Sequence, residues 1–146
     1  MVSVTSGSFV GNRTWFSEVV GGKDVVLRNT SALECLELFV GYLNEGHIDV
    51  YAKEQGEYEN INYCIVDSFD NLDIVNIWDI QCTSVNQTFN DMLRDFDNID
   101  EQSLVEALST YYFRNDDSFS GLEIAPENQH VFDLIKDWAI EYHSEG

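Results

Sequence analysis

The stretch Ile74-Val75-Asn76-Ile77-Trp78-Asp79-Ile80-Gln81-Cys82-Thr83-Ser84-Val85-Asn86-Gln87-Thr88-Phe89-Asn90-Asp91-Met92-Leu93-Arg94-Asp95-Phe96 changes period partway along. Up to Ile80 it is rich in β-branched and aromatic residues, the composition of a strand. Beyond Cys82 the apolar residues fall at Val85, Phe89, Met92 and Phe96, the spacing of one helical face. Ser84 occupies the cap position with Gln87 three residues on, a pair that offers acceptors to the unpaired N–H groups of a helix start. A strand giving way to a helix here divides the chain into a strand-rich part and a C-terminal half that is mainly helical. That division predicts an α+β domain with a small antiparallel sheet and about four helices.

Upstream of this junction, His47 to Ala52 alternates, with Ile48 and Val50 on one face, and Ile61 to Val66 is again β-branched and aromatic. Both read as strands. The polar loop 53–60 and the acidic turn 68–73 are short enough for hairpins, which predicts a meander. Ser31-Ala32-Leu33-Glu34 matches a capping box, and Leu33, Leu36, Val40 and Leu43 follow at helical spacing up to Gly46. Residues 15–28 predict a hairpin through Gly21-Gly22, with a short helix from Arg13 to Val20 as the alternative.

Downstream, a second helix is predicted from about Ile99 to Phe113 with Asn98 at its cap and Leu104, Leu108 and Tyr111 facing inward. Leu122 to Ile124 reads as a last short strand. Pro126 suits the first turn of a closing helix, whose apolar face is Val131, Leu134, Ile135, Trp138 and Tyr142. With 146 residues, no internal repeat and Pro126 as the only proline, one domain over residues 1–146 is the economical expectation.

Charge is the outlying property. Seven Lys and Arg face 27 Asp and Glu, for a formal net charge of −20. The basic residues Arg13, Lys23, Arg28, Lys53, Arg94, Arg114 and Lys136 are scattered. Nucleic-acid and anionic-membrane binding draw on clustered Lys and Arg, so neither direct nucleic acid nor membrane is an expected partner. The acidity fits a solvated surface; it also fits attraction to a basic protein partner. Asp91, Asp95, Asp97, Asp100 and Glu101 are the densest carboxylates and the candidate partner-binding set. Tyr111-Tyr112-Phe113 adds a second candidate, because three consecutive helical residues cannot share one core and Tyr112 is the one turned away, toward a partner or a second copy.

The chemistry-bearing residues are dispersed. Cys35, Cys64 and Cys82 have neither the number nor the spacing of a disulfide framework. His47, His130 and His143 fall into no metal-binding spacing. From Asp95 to Glu106 the chain has the length of a calcium loop, but Ile99 stands where an oxygen ligand belongs and Asp100 where the loop needs glycine. Asn115-Asp116-Asp117-Ser118 specifies a polar loop. Neither a catalytic site, a metal nor a cofactor is expected, although a site assembled in space from a cysteine and a histidine would leave no spacing to read. The first residues lack a charged segment followed by an apolar run, so the expected location is the cytoplasm.

Two segments carry a family resemblance. Thr30-Ser31-Ala32-Leu33-Glu34-Cys35-Leu36-Glu37-Leu38, followed by Ile48-Asp49-Val50-Tyr51, resembles a stretch of AbiEi-like antitoxins, the abortive-infection antitoxins of bacterial type IV toxin–antitoxin systems. Val85-Asn86-Gln87-Thr88-Phe89-Asn90-Asp91-Met92-Leu93, leading to Asp100-Glu101-Gln102-Ser103-Leu104, is similar to the later helical part of that family. The resemblance covers roughly residues 25–113. It implies a bacterial interaction protein that neutralises a nucleotidyltransferase-type toxin. The family's basic, DNA-binding winged helix has no counterpart here, since only Arg13, Lys23 and Arg28 are basic before residue 30, and Gln87 stands where the family has arginine. The alternatives are an acidic nucleic-acid mimic that inhibits a DNA-binding protein and a small enzyme with a spatially assembled site.

Overall fold

In the computed structural model, residues 16–39 and 47–145 are described, with side chains to residue 142. Residues 16–20 form a helical turn, the alternative reading of that segment; residues 13–15 lie outside the described residues. After Gly21 and Gly22 come strand β1 (Val25–Leu27) and helix α1 (Asn29–Cys35). Strands β2 (Ile48–Ala52), β3 (Ile61–Ile65), β4 (Ile74–Ile77) and β5 (Ile80–Thr83) follow. Helix α2 (Val85–Arg94) leads through a 3-10 turn at Phe96–Asn98 to α3 (Glu101–Arg114). A second 3-10 turn at Pro126–Asn128 opens α4 (Gln129–Glu145). The architecture is α+β.

The sheet is mixed rather than antiparallel. Its order is β3-β2-β1-β5-β4. β1 lies antiparallel to β2, with Val25 opposite Ala52, and parallel to β5, with Leu27 opposite Cys82. β2 and β3 run parallel with Ile48 opposite Ile61. The predicted meander fails because loop length does not fix direction. Residues 53–60, extended, reach about 26 Å, and a five-residue strand needs a return of only roughly 17 Å. The loop therefore crosses back without a helix. Gly56 lies against the Tyr63 phenol, where any side chain would collide with it.

The third predicted strand is two strands. Trp78 and Asp79 turn the chain between Ile77 and Ile80, which face each other across an antiparallel pair. Trp78 takes the left-handed conformation at φ 57°, which favours glycine or asparagine, so no residue type announces the turn. Ser17 donates to Asp79 Oδ1 at 2.6 Å and the Gly22 N–H donates to the Asp79 carbonyl at 3.2 Å, which ties the turn to the 16–20 segment.

Helix α1 is shorter than its periodicity predicts. It begins at Asn29, ends at Cys35, and Glu37 adopts φ 64°. Ser31 lies inside the helix and accepts from the Asp49 N–H at 2.9 Å rather than capping. Val40, Leu43 and Gly46 lie outside the described residues. Ser84 does cap α2, accepting from the Gln87 N–H at 3.1 Å. Asp100 rather than Asn98 caps α3. Residues 122–125 are not a strand: Asn86 and Asn90 on α2 bind their backbone as a neighbouring strand would. Glu123 N–H donates to Asn86 Oδ1 at 2.9 Å and Ala125 N–H to Asn90 Oδ1 at 2.8 Å.

Two apolar clusters result. One joins Phe16 and Val20 to Leu27, Val50, Ile80 and Cys82 of the sheet and to Ala32 and Cys35 of α1. The other joins Leu33 and Leu38 to Phe89, Met92, Leu104, Leu108, Phe132, Ile135 and Ala139. Helix α1 contributes to both, which makes it the link between sheet and helices. The closing helix departs from expectation: Ile135 is buried, but Leu134 and Trp138 are exposed and Phe132 and Ala139 take the core positions. Val131 and Tyr142 pack against the same core, as the stripe predicts, so the departure is confined to Leu134 and Trp138.

Candidate functional site

The acidic segment 91–101 is where the sequence places a partner surface, and the fold treats its members differently. Asp91 is 6% exposed. It accepts from the Tyr51 hydroxyl at 2.7 Å and from Gln87 Nε2 at 2.9 Å, and Arg94 lies 3.5 Å away. Asp95 is half-buried and accepts from Asn98 Nδ2 at 2.7 Å. Asp100 accepts from the Gln102 N–H at 3.1 Å and from the Ser103 hydroxyl at 2.6 Å, covering orphan donors at the start of α3. Asp97 and Glu101 are exposed. Of this set, Asp97, Asp100 and Glu101 face solvent together, while Asp91 faces the sheet.

Asp91 belongs to a buried polar network that fastens α2 to the sheet. Tyr51 on β2 is buried, and burial first, then the Asp91 acceptor, pushes its phenol up to about 12. Arg28, at the end of β1, stacks on the Tyr51 ring with Cζ 4.7 Å from the centroid. Burial works against the Arg28 charge, but Tyr51, Cys64 and Asp91 around it outweigh burial and hold its pKa above the ordinary value. Its Nε is buried with no hydrogen-bond partner. Cation, ring and carboxylate offset one another here at low local dielectric, the arrangement of a structural tie.

Tyr112 is half-buried. Phe113 and Phe119 pack on it, with ring centroids at 5.0 and 4.9 Å. Phe119 comes from the loop after α3 and in turn meets Phe132 of α4 at 5.2 Å. Within the segment tested against a calcium loop, Asp95 accepts from Asn98 and Glu106 accepts from the Tyr142 hydroxyl at 3.0 Å. Among the described residues, no three His, Cys, Asp or Glu side chains gather as a metal site.

A groove of about 710 Å³ opens beneath the β2–β3 crossover, lined by Lys23, Asp24, Lys53, Glu57, Tyr58 and Tyr63 among others. Both lysines are engaged. Lys23 Nζ donates to the Val19 carbonyl at 2.6 Å and lies 5.1 Å from the Tyr58 ring. Lys53 Nζ sits 3.4 Å from Asp24 and 4.8 Å from the Phe69 ring. The groove's described wall offers charged and aromatic side chains together, Lys23, Asp24, Lys53 and Glu57 beside Tyr58 and Tyr63.

Among the described residues, the large apolar side chains turned outward are Tyr58, Ile65, Trp78, Leu134 and Trp138. Periodicity placed Leu134 and Trp138 in the core and gave no reason to single out the others. The alternation of β3 does put Ile65 opposite in sense to Cys64, but only strand order shows that β3 is an edge. No helix among the described residues is long and apolar enough to cross a membrane. No family model and no curated protein sequence matches the chain.

Proposed function

We propose that this protein acts by binding a basic protein partner rather than by catalysis, as an antitoxin-like domain opposing a nucleotidyltransferase-type toxin in the bacterial cytoplasm. The observation that carries the first part is the net charge of −20, with basic residues too few and too dispersed to neutralise it locally. Such a field speeds encounter with a cationic surface and opposes nucleic acid and self-association. The toxin as partner is drawn from the resemblance of residues 30–51 and 85–104 to AbiEi-like antitoxins.

The nucleic-acid-mimic alternative draws less support. It needs carboxylates arrayed outward at phosphate-like intervals, whereas Asp91 is buried beneath Tyr51 and Asp100 is committed to its cap. The enzymatic alternative would need a convergent nucleophile and base, and the two lysines of the groove are already engaged, Lys23 by the Val19 carbonyl and Lys53 by Asp24.

The test is co-expression with a nucleotidyltransferase-type toxin encoded beside this chain. Rescue of growth is the expected result. A toxin that kills equally well with and without the chain would remove the antitoxin reading.

A further inference from the structure

Helix α4 turns two large apolar side chains to solvent where its periodicity predicts burial. Leu134 is 77% exposed and Trp138 is 48% exposed. Spaced four residues apart, they share one helical face, with Cβ atoms about 5–6 Å from each other. Phe132, Ile135 and Ala139 fill the inner face, in the helical core shared with α3. Turning Leu134 and Trp138 inward would turn Phe132 and Ala139 out, so packing against α3 cannot cover both pairs.

The same outward side exposes Asp133, Asp137 and Glu141. Gln129, donating to Asp133 Oδ1 at 3.0 Å, and Lys136 at 3.3 Å hold the Asp133 carboxyl below the usual carboxylate range. Lys136 is the one lysine or arginine of α4. An aliphatic and an indole side chain side by side, rimmed by like charges, have the anatomy of a contact site with an apolar centre and a polar rim.

The charge decides the occupant. A two-fold pairing with a second copy would set this patch against itself, carboxylates facing carboxylates on two chains of −20 each. A basic amphipathic helix would instead lay its apolar stripe on Leu134 and Trp138 and its lysines or arginines beside the three carboxylates. We infer that the face of α4 carrying Leu134 and Trp138, rimmed by Asp133, Asp137 and Glu141, docks a basic amphipathic helix of a protein partner. The inference rests on the basic-partner reading and gives it a surface.

The test is a titration of the full chain against a fluorescent helical peptide of leucine and lysine in amphipathic order, with a leucine–glutamate peptide as control. The lysine peptide binds and the glutamate peptide does not. The double variant Leu134→Ser/Trp138→Ser, which alters only exposed side chains and leaves the circular dichroism unchanged, weakens lysine-peptide binding by roughly tenfold or more. Asp137→Asn/Glu141→Gln weakens it at low salt and little at high salt. Equal affinity for the wild type and the serine variant overturns the docking surface and leaves the basic-partner reading standing. Failure of the wild type to prefer the lysine peptide is the separate result that sinks that reading. A wild-type sedimentation mass twice that of the chain, restored to one chain by the serine substitutions, would assign the face to a second copy and overturn the proposal.

Discussion

Residues 91–101 and residues 133–141 are both acidic stretches in or beside helices, yet the first reaches into the fold and the second stays on its surface. In the first, Asp91 closes a buried network with Tyr51 and Gln87, and Asp95 and Asp100 accept from side chains and backbone of the same turn. In the second, Asp133 takes surface partners in Gln129 and Lys136, and it stands exposed with Asp137 and Glu141 around Leu134 and Trp138. The denser run of charge is the more structural of the two. Asp100 stands at a helix start with an orphan N–H within reach, and Asp91 faces the Tyr51 hydroxyl, whereas the carboxylates of α4 lie on its outer side. Charge density in sequence therefore points to helix ends as readily as to a binding surface.

If that contrast is sound, substitutions in the two stretches separate by size. The largest effect belongs to Asp91→Ala, which strips the acceptor from the buried Tyr51 hydroxyl and the half-buried Gln87 amide and should cost about 3 kcal/mol in chemical unfolding. A cost indistinguishable from zero would erase the distinction. Tyr51→Phe leaves the Asp91 carboxylate without its phenol donor and should cost about 2 kcal/mol.

The Tyr51 phenol also makes a prediction in pH. Its folded-state pKa, about 12, lies above the ordinary 10.0. The folded state therefore holds its proton where the unfolded chain has lost it. The resulting stability is present below pH 10 and is lost as pH rises through about 12. Unfolding followed across that alkaline window should show the decline in the wild type and a shallower one in Tyr51→Phe; identical slopes would mean the phenol is not held by burial and Asp91. Asp100→Ala, which removes the α3 cap, should cost about 1 kcal/mol by thermal unfolding. Asp137→Asn, on the outward face of α4, should stay within about 0.5 kcal/mol of wild type.

Local signals held where a hydrogen bond joins neighbours and failed elsewhere: Ser31 lies inside α1 and Asp100 takes the cap expected of Asn98. Ser84 with Gln87 marks the start of α2 because the cap is a hydrogen bond between neighbours, and the 3-10 turn at Pro126 starts where a fixed φ suits it. Strand order had no such signal. Insertion of β1 between β2 and β5 depends on pairings far apart in the chain, and the 53–60 loop can serve a hairpin or a crossover equally well. The Trp78-Asp79 turn was hidden because its left-handed residue is a tryptophan and its ties, from Ser17 and Gly22 to Asp79, come from far away in the chain. Asn86 and Asn90 substitute side-chain amides for a strand partner, so residues 122–125 read as β without belonging to the sheet. On α4 the stripe residues Val131, Ile135 and Tyr142 do pack inward, but Leu134 and Trp138 satisfy helical spacing as well as Phe132 and Ala139 do. Only packing against α3 distinguishes them, and that choice leaves Leu134 and Trp138 outside.

The most direct test of a protein that works through a basic partner is its capture from native cells at low and at high salt, with the retained proteins identified. The account predicts one basic protein, held at low salt, released at high salt and lost from the Leu134→Ser/Trp138→Ser variant. Recovery of no basic protein at either salt would contradict it.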